Sequence, residues 1–266
     1  MGKKSSRARL RRNNVVEHVQ LQKASHNYPA FILSICIIVC LAIAANMRND
    51  IYKTPVTMWR DTAHKSPMKR RAHENFGQAL STAGLYGEAM REFKTVLATK
   101  DDGSVPPRDL YREIGVVYFR VGMIDDAIAS WQTGLRYSPL DASLLNNLSI
   151  AFLKKGRYDE ADATARMALS AVPGMPQALN TLGEVFMAQG EYDKASEYFL
   201  MAIQRSPEDK YKYWNAALAF EKAGKYDMAY RYMSAYAVME PDPAGRQRAF
   251  QMLNRLKKPP AGDQMP

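Results

Sequence analysis

The chain has 266 residues, 47% of them apolar, which allows a sizeable core and excludes wholesale disorder. Its formal charge of +10 points to nucleic acid only until it is located: residues 1–27 hold Lys3, Lys4, Arg7, Arg9, Arg11, Arg12 and Lys23 against Glu17 alone. That leader carries +6, which leaves +4 for everything after it, so a basic leader is present and a basic domain is not.

In chain order, the leader is followed by residues 28–47, YPAFILSICIIVCLAIAANM, a run of about 20 residues without a charge. At 1.5 Å per residue such a helix spans roughly 30 Å, the thickness of a bilayer core, so the segment reads as a transmembrane helix. Its two cysteines, Cys36 and Cys40, lie one turn apart and read as small hydrophobes. Seven Lys or Arg precede the run, against Arg48, Lys53, Arg60 and Lys65 in the 20 residues after it. That bias places the N-terminus in the cytoplasm and the rest outside it, which in a bacterium means a single-pass inner-membrane protein facing the periplasm. Two rival readings exist. Ala42-Ile43-Ala44 has the small-x-small form of a cleavage site, which would make residues 1–44 a removable signal, and Met1-Gly2 with Ser6 fits the loose myristoylation pattern. The long leader and long apolar run favour a retained anchor.

Residues 48–53 then form a short linker, and 54–69 a capping helix, opened by Thr54 as N-cap with Pro55 at the first helical position. From residue 70 the sequence repeats every 34 residues, in frames 70–103, 108–141, 142–175, 176–209 and 210–243, with 104–107 inserted. Position 8 is small in each frame (Gly77, Gly115, Ser149, Gly183, Ala217), and position 20 is Ala89, Ala127, Ala161, Ala195 and Ala229. Small residues there allow the two helices of a hairpin to approach closely. Position 15 is Gly84, Gly122, Gly156, Gly190 and Gly224, suited to a left-handed C-cap. Position 32 is Pro139, Pro173, Pro207 and Pro241 in four frames, where proline ends the second helix. Aromatics at positions 11, 17 and 24 fill the seams between hairpins.

Over residues 70–243 these columns resemble the tetratricopeptide repeat family. The resemblance implies an all-α, right-handed solenoid of five helical hairpins, with the half repeat before it. Residues 244–257 form an amphipathic cap, with Phe250, Leu253 and Leu256 among charges, and 258–266 a disordered tail. A second likeness lies in Tyr52, Trp59, Arg60-Asp61, Lys65-Ser66-Pro67, Arg71, Asn75 and Gly77. This stretch is similar to the junction before the repeat tail of polytopic lipid-linked-sugar glycosyltransferases. It implies an extracytoplasmic repeat domain, and no catalytic residue carries over, because those enzymes use loops between many membrane helices.

Enzymatic constellations are missing from the sequence, and neither a metal, a cofactor nor a small-molecule substrate is implied. His18, His26, His64 and His73 have no ligand spacing, and no Gly-rich phosphate loop or nucleophile turn occurs. Asp125-Asp126 and Asp159-Glu160 start second helices, where negative charge suits the helix dipole. Binding of other proteins remains. In the family the first helices line a concave groove through positions 2, 5, 9, 12 and 13. Here they present Arg71, Glu74 and Gln78, then Asp109, Arg112, Val116, Phe119 and Arg120, then Asn146, Ile150, Leu153 and Lys154. Asn180, Glu184 and Met187 follow, with Tyr211, Trp214, Leu218, Glu221 and Lys222 last. Phe119, Leu153, Met187 and Trp214 are expected to face solvent as apolar anchors for a peptide or helix. The C-terminal helix or a second copy is the alternative cover for part of this surface. Asn75, Asn147 and Asn215 recur at position 6, but the basic columns of a carboxylate clamp are absent, and the nearly balanced groove charge argues against nucleic acid.

Overall fold

The computed structural model describes residues 31–46, 48–49, 52–99 and 108–257. The leader, residues 28–30 and 47 of the apolar run, the insertion and the tail lie outside the described residues. Thirteen helices and no strand occur among those described. The chain divides into two compact units, Met1–Ala79 and Leu80–Pro266.

In the first unit, residues 31–46 are helical (α1), and every one of them is exposed, on all sides of the helix. Among the described residues no helix is long and apolar enough to cross a membrane. The transmembrane helix expected over 28–47 is therefore not established by the fold, and its two ends are not among the described residues. Helix α2 (Pro55–Lys65) has the start that its sequence indicates: Pro55 opens it, and the Thr54 hydroxyl accepts from the Thr57 N–H at 3.1 Å. The reciprocal bond, from the Thr54 N–H to the Thr57 hydroxyl, completes a capping box. Arg60 lies over the ring of Phe76 at 5.9 Å, and a ring nitrogen of His73 is 3.0 Å from the Pro67 carbonyl, so that histidine is used structurally. Phe76 belongs to α3 (Arg70–Thr82), which runs across the boundary of the two units.

The second unit continues with α4 (Tyr86–Ala98), α5 (Arg108–Arg120), α6 (Ile124–Tyr137), α7 (Ala142–Lys154) and α8 (Tyr158–Ala171). After them come α9 (Pro176–Gln189), α10 (Tyr192–Arg205), α11 (Lys210–Lys222), α12 (Tyr226–Met239) and α13 (Pro243–Leu256). From α5 onward each helix packs on the next. The pairs α5–α6, α7–α8, α9–α10 and α11–α12 are hairpins, closed by Gly122, Gly156, Gly190 and Gly224 at φ between 72° and 85°. Only glycine takes that conformation without cost, and at Gly190 it caps α9 directly. The prolines at 139, 173, 207 and 241 each follow directly after the C-cap of a second helix.

Within a hairpin the helices meet where the sequence is smallest. A Cβ on Gly115 would come within 2.2 Å of the Trp131 ring, whose N–H donates to the Arg112 carbonyl at 3.0 Å. A Cβ on Gly183 would lie 2.5 Å from the ring of Phe199, which is fully buried. Ser149 uses the equivalent space differently: its buried hydroxyl donates to the Ala161 carbonyl at 2.6 Å.

The last hairpin is closed by α13, whose Ala249, Met252, Leu253 and Leu256 are buried. Phe250 is 56% exposed, contrary to expectation, because the inward face runs through 249, 252, 253 and 256 and residue 250 falls beside it. Between α12 and α13, buried Glu240 accepts from Lys210 at 2.6 Å, from the Tyr236 hydroxyl at 2.5 Å and from the Asp242 N–H at 3.1 Å. These donors, the lysine first, hold its carboxyl down from 4.5 to about 2.

Two predictions follow from this packing. Gly183→Ala should cost about 1–3 kcal/mol through overpacking in urea denaturation, whereas Gly87→Ala, where nothing lies within 4 Å, should be neutral or slightly stabilising. Because the folded pKa of Glu240 is depressed, its stabilisation is complete above the ordinary carboxylate range and is lost as pH falls towards about 2. Glu240→Gln should accordingly lower the Tm at pH 7, with the difference from wild type shrinking in melts taken at successively lower pH below about 4.

Candidate partner-binding face

The first helices of consecutive hairpins, α5, α7, α9 and α11, carry most of the expected groove residues. Arg71, Glu74 and Gln78 lie on α3 within the first unit, with Arg71 and Gln78 exposed and Glu74 half-buried. In the second unit the anchors Phe119, Leu153, Met187 and Trp214 are half-buried and pack on the core, as do Val116 and Leu218. Phe119 is 5.9 Å from the ring of Trp131, and Trp214 meets Tyr236 edge-on at 5.1 Å. The expectation that these four project freely into solvent is corrected: they are outer parts of the seams between helices.

Most charges of this face are already engaged. Arg112 donates to Asp109 at 2.7 Å and to Glu113 at 3.4 Å, and Glu113 is nevertheless shifted upward because burial outweighs the arginine beside it. Glu221 pairs with Arg255 of α13 at 2.6 Å, so the terminal helix does reach one end of the face. Lys154 sits 4.9 Å over the Phe119 ring, while Arg120 and Lys222 are exposed.

Between α7, α9 and α11 lies a cavity of about 260 Å³. Five expected residues line it: Asn146, Ile150, Asn180, Glu184 and Tyr211. Five others were not expected there: Gln177, Thr181, Asp209, Lys212 and Asn215. Gln177 is at repeat position 2, so the groove rule itself reaches it. Thr181 and Asn215 are at position 6, whose recurrent asparagine was visible in the sequence. Their role is to join successive first helices. The Thr181 hydroxyl donates to the Asn146 side-chain oxygen at 3.0 Å, and the Asn215 amide donates to Asn180 at 3.1 Å. Each bond links position 6 of one frame to position 5 of the frame before. Glu184 completes the network, accepting from Asn180 at 2.8 Å and from Asn215 at 3.4 Å. Burial raises its pKa, and the two amide donors offset only part of that shift. Lys212, itself buried, pairs with Asp209, which also caps α11 through the Tyr211 N–H.

Models of the tetratricopeptide repeat match residues 112–176 and 176–209. Residues 112–209 carry tetratricopeptide repeats. The matched residues cover three of the five expected frames, so the repeat count marked by the family models is smaller than the sequence columns imply. No curated protein matches the chain in sequence. Among solved structures, PilW, described as a widely conserved type IV pilus biogenesis factor, aligns with TM-score 0.66 at 19% identity, over 81% of this chain and 98% of its own. The APC/C hetero-tetramer Cut9–Hcn1 aligns with TM-score 0.64 at 18% identity. That match covers 74% of this chain but only 38% of the other. YrrB, a TPR protein described as having an unusual peptide-binding site, aligns with TM-score 0.50 at 16% identity, over 73% and 97%. At these identities the likeness is one of fold.

In the tetratricopeptide array Glu184 opposes stability. Its folded pKa is raised, so its ionised form is disfavoured at neutral pH, and that penalty disappears as pH falls through the folded pKa towards the ordinary carboxylate value. Glu184→Gln keeps an acceptor oxygen for both asparagines. It should raise the Tm at pH 7, with the advantage vanishing in melts near pH 4.

Proposed function

We propose that the protein is a membrane-anchored scaffold without a catalytic site, which binds a segment of a partner protein along the first helices of the repeats in the second unit. The observation that carries the reading is the cavity between α7, α9 and α11, where polar side chains from three consecutive first helices converge. In a helical array whose seams are otherwise filled by apolar residues, such a row adds little to the core and suits a bound chain. Repeats beyond residues 112–209 rest on the sequence columns and on α11–α12 having the same hairpin form.

The anchor is the apolar run 28–47, supported by its length, its lack of charge and the exposure of every residue from 31 to 46. The excess of Lys and Arg before it supports an extracytoplasmic array in an envelope assembly. A second reading, an accessory subunit of an envelope glycosylation or polysaccharide system, is favoured by the likeness of residues 52–77 to a glycosyltransferase junction. Unaltered surface glycans after deletion of the gene would remove it.

A photo-crosslinking residue placed at Tyr211 should capture a partner in cells, while the same residue at Met167 of α8, also exposed, should not. Asn180→Ala combined with Tyr211→Ala should reduce recovery of that partner at least about tenfold, a loss of the size expected for two side-chain contacts. Equal capture at both sites, or unchanged recovery, contradicts the groove. A reporter active only outside the cytoplasm, fused after Pro266, should be active, and a silent fusion reverses the orientation.

A further inference from the structure

Glu184 differs from the other acidic side chains of this face in the second unit. Asp109 is matched by Arg112, Asp209 by Lys212 and Glu221 by Arg255. Glu184 has only neutral amide donors, both on Oε1, and no cation or second donor among the described residues reaches Oε2. A half-buried carboxylate without a counter-charge is costly, and its position in a cavity indicates where a counter-charge would arrive.

The cavity has the size for one. Its volume of about 260 Å³ lies near the lower end of the roughly 300–1,000 Å³ of small-molecule sites, which leaves room for one long side chain. Its lining is divided: Ile150 and the Tyr211 ring are apolar, and Asn146, Asn180 and Asn215 carry carboxamides. The Lys212 ammonium, which would oppose a second cation, is occupied by Asp209. Tyr211 is 63% exposed, so its ring face is open to an incoming side chain, and the Lys210 ammonium 5.1 Å from that ring is held by Glu240.

We infer that the cavity receives a lysine or arginine side chain of the bound segment, its cation on Glu184 and its methylene stem along Ile150 and Tyr211. Acceptor oxygens of the carboxamides are at hand for the remaining N–H donors of a guanidinium or ammonium. The inference rests on the partner-binding reading proposed above and names the chemistry of the partner.

Random dodecapeptides displayed on phage and panned against the full chain in detergent test it. Wild type should recover peptides that share a Lys or Arg at one aligned position, and E184Q should recover peptides without that preference. The affinity of a synthetic basic binder should fall at least about tenfold on E184Q, and replacing its basic residue with Gln should abolish the difference between the two chains. E184Q keeps its asparagine bonds, and circular dichroism melts establish that it is folded. Recovered peptides with no shared basic position, whose binding is lost in the Asn180→Ala, Tyr211→Ala variant, overturn the inference and leave the groove reading intact. Failure to recover peptides with either chain, together with no crosslink at residue 211, removes both.

Discussion

The array depends on how closely the two helices of a hairpin can approach. That distance is set by the pair of residues at repeat positions 8 and 24, one from each helix. Gly115 lies under Trp131 and Gly183 under Phe199, with no room for a methyl group at either place. The sequence adjusts the pair jointly. Where position 24 is only Ala165, position 8 grows to Ser149, and where position 24 is Met233, position 8 is Ala217. Apolar area buried at these contacts is the main stabilising contribution, and the left-handed glycines and terminating prolines turn the chain so that each contact can form.

Once the hairpins are so paired, the first helices must lie side by side, and what joins them becomes the surface available to a partner. In the second unit that junction changes character along the chain. Around α5 and α7 it is apolar, with Val116, Phe119 and Leu153 against the core. From α7 to α11 it becomes a relay of carboxamide and hydroxyl groups, Asn146 to Thr181 and Asn180 to Asn215, with Glu184 among them. Such a network satisfies its own members and still leaves oxygens and N–H groups at a cavity wall, which is how a rigid frame can recognise an extended chain. The carboxylate in it raises the cost of the unbound state, a feature expected at binding sites and unneeded in a scaffold optimised only for stability.

Much of the fold was legible because each repeat column has a local mechanical cause. Glycine marks the left-handed turn at 122, 156, 190 and 224, proline follows the second helix in four frames, and small residues mark the close contacts. The site was less legible. Phe119, Leu153, Met187 and Trp214 sit at positions that a linear repeat assigns to solvent, yet the packing of one hairpin on the next half-buries all four. Phe250 errs in the other direction, by one helical position. In both cases the boundary between core and solvent depends on how neighbouring helices are rotated, which a periodic pattern does not encode. Position 6 is illegible for a related reason: a carboxylate clamp would need basic partners for its asparagines, whereas the partner of Asn215 is an asparagine on the preceding first helix.

The central claim is that a partner lies along the first helices of the second unit. Hydrogen–deuterium exchange of the full chain, with and without a crosslink-identified partner, measures this without altering any residue. The account predicts slowed exchange concentrated in α7, α9 and α11, with α8, α10 and α12 unchanged. Protection confined to the second helices, or spread evenly over both, would contradict it.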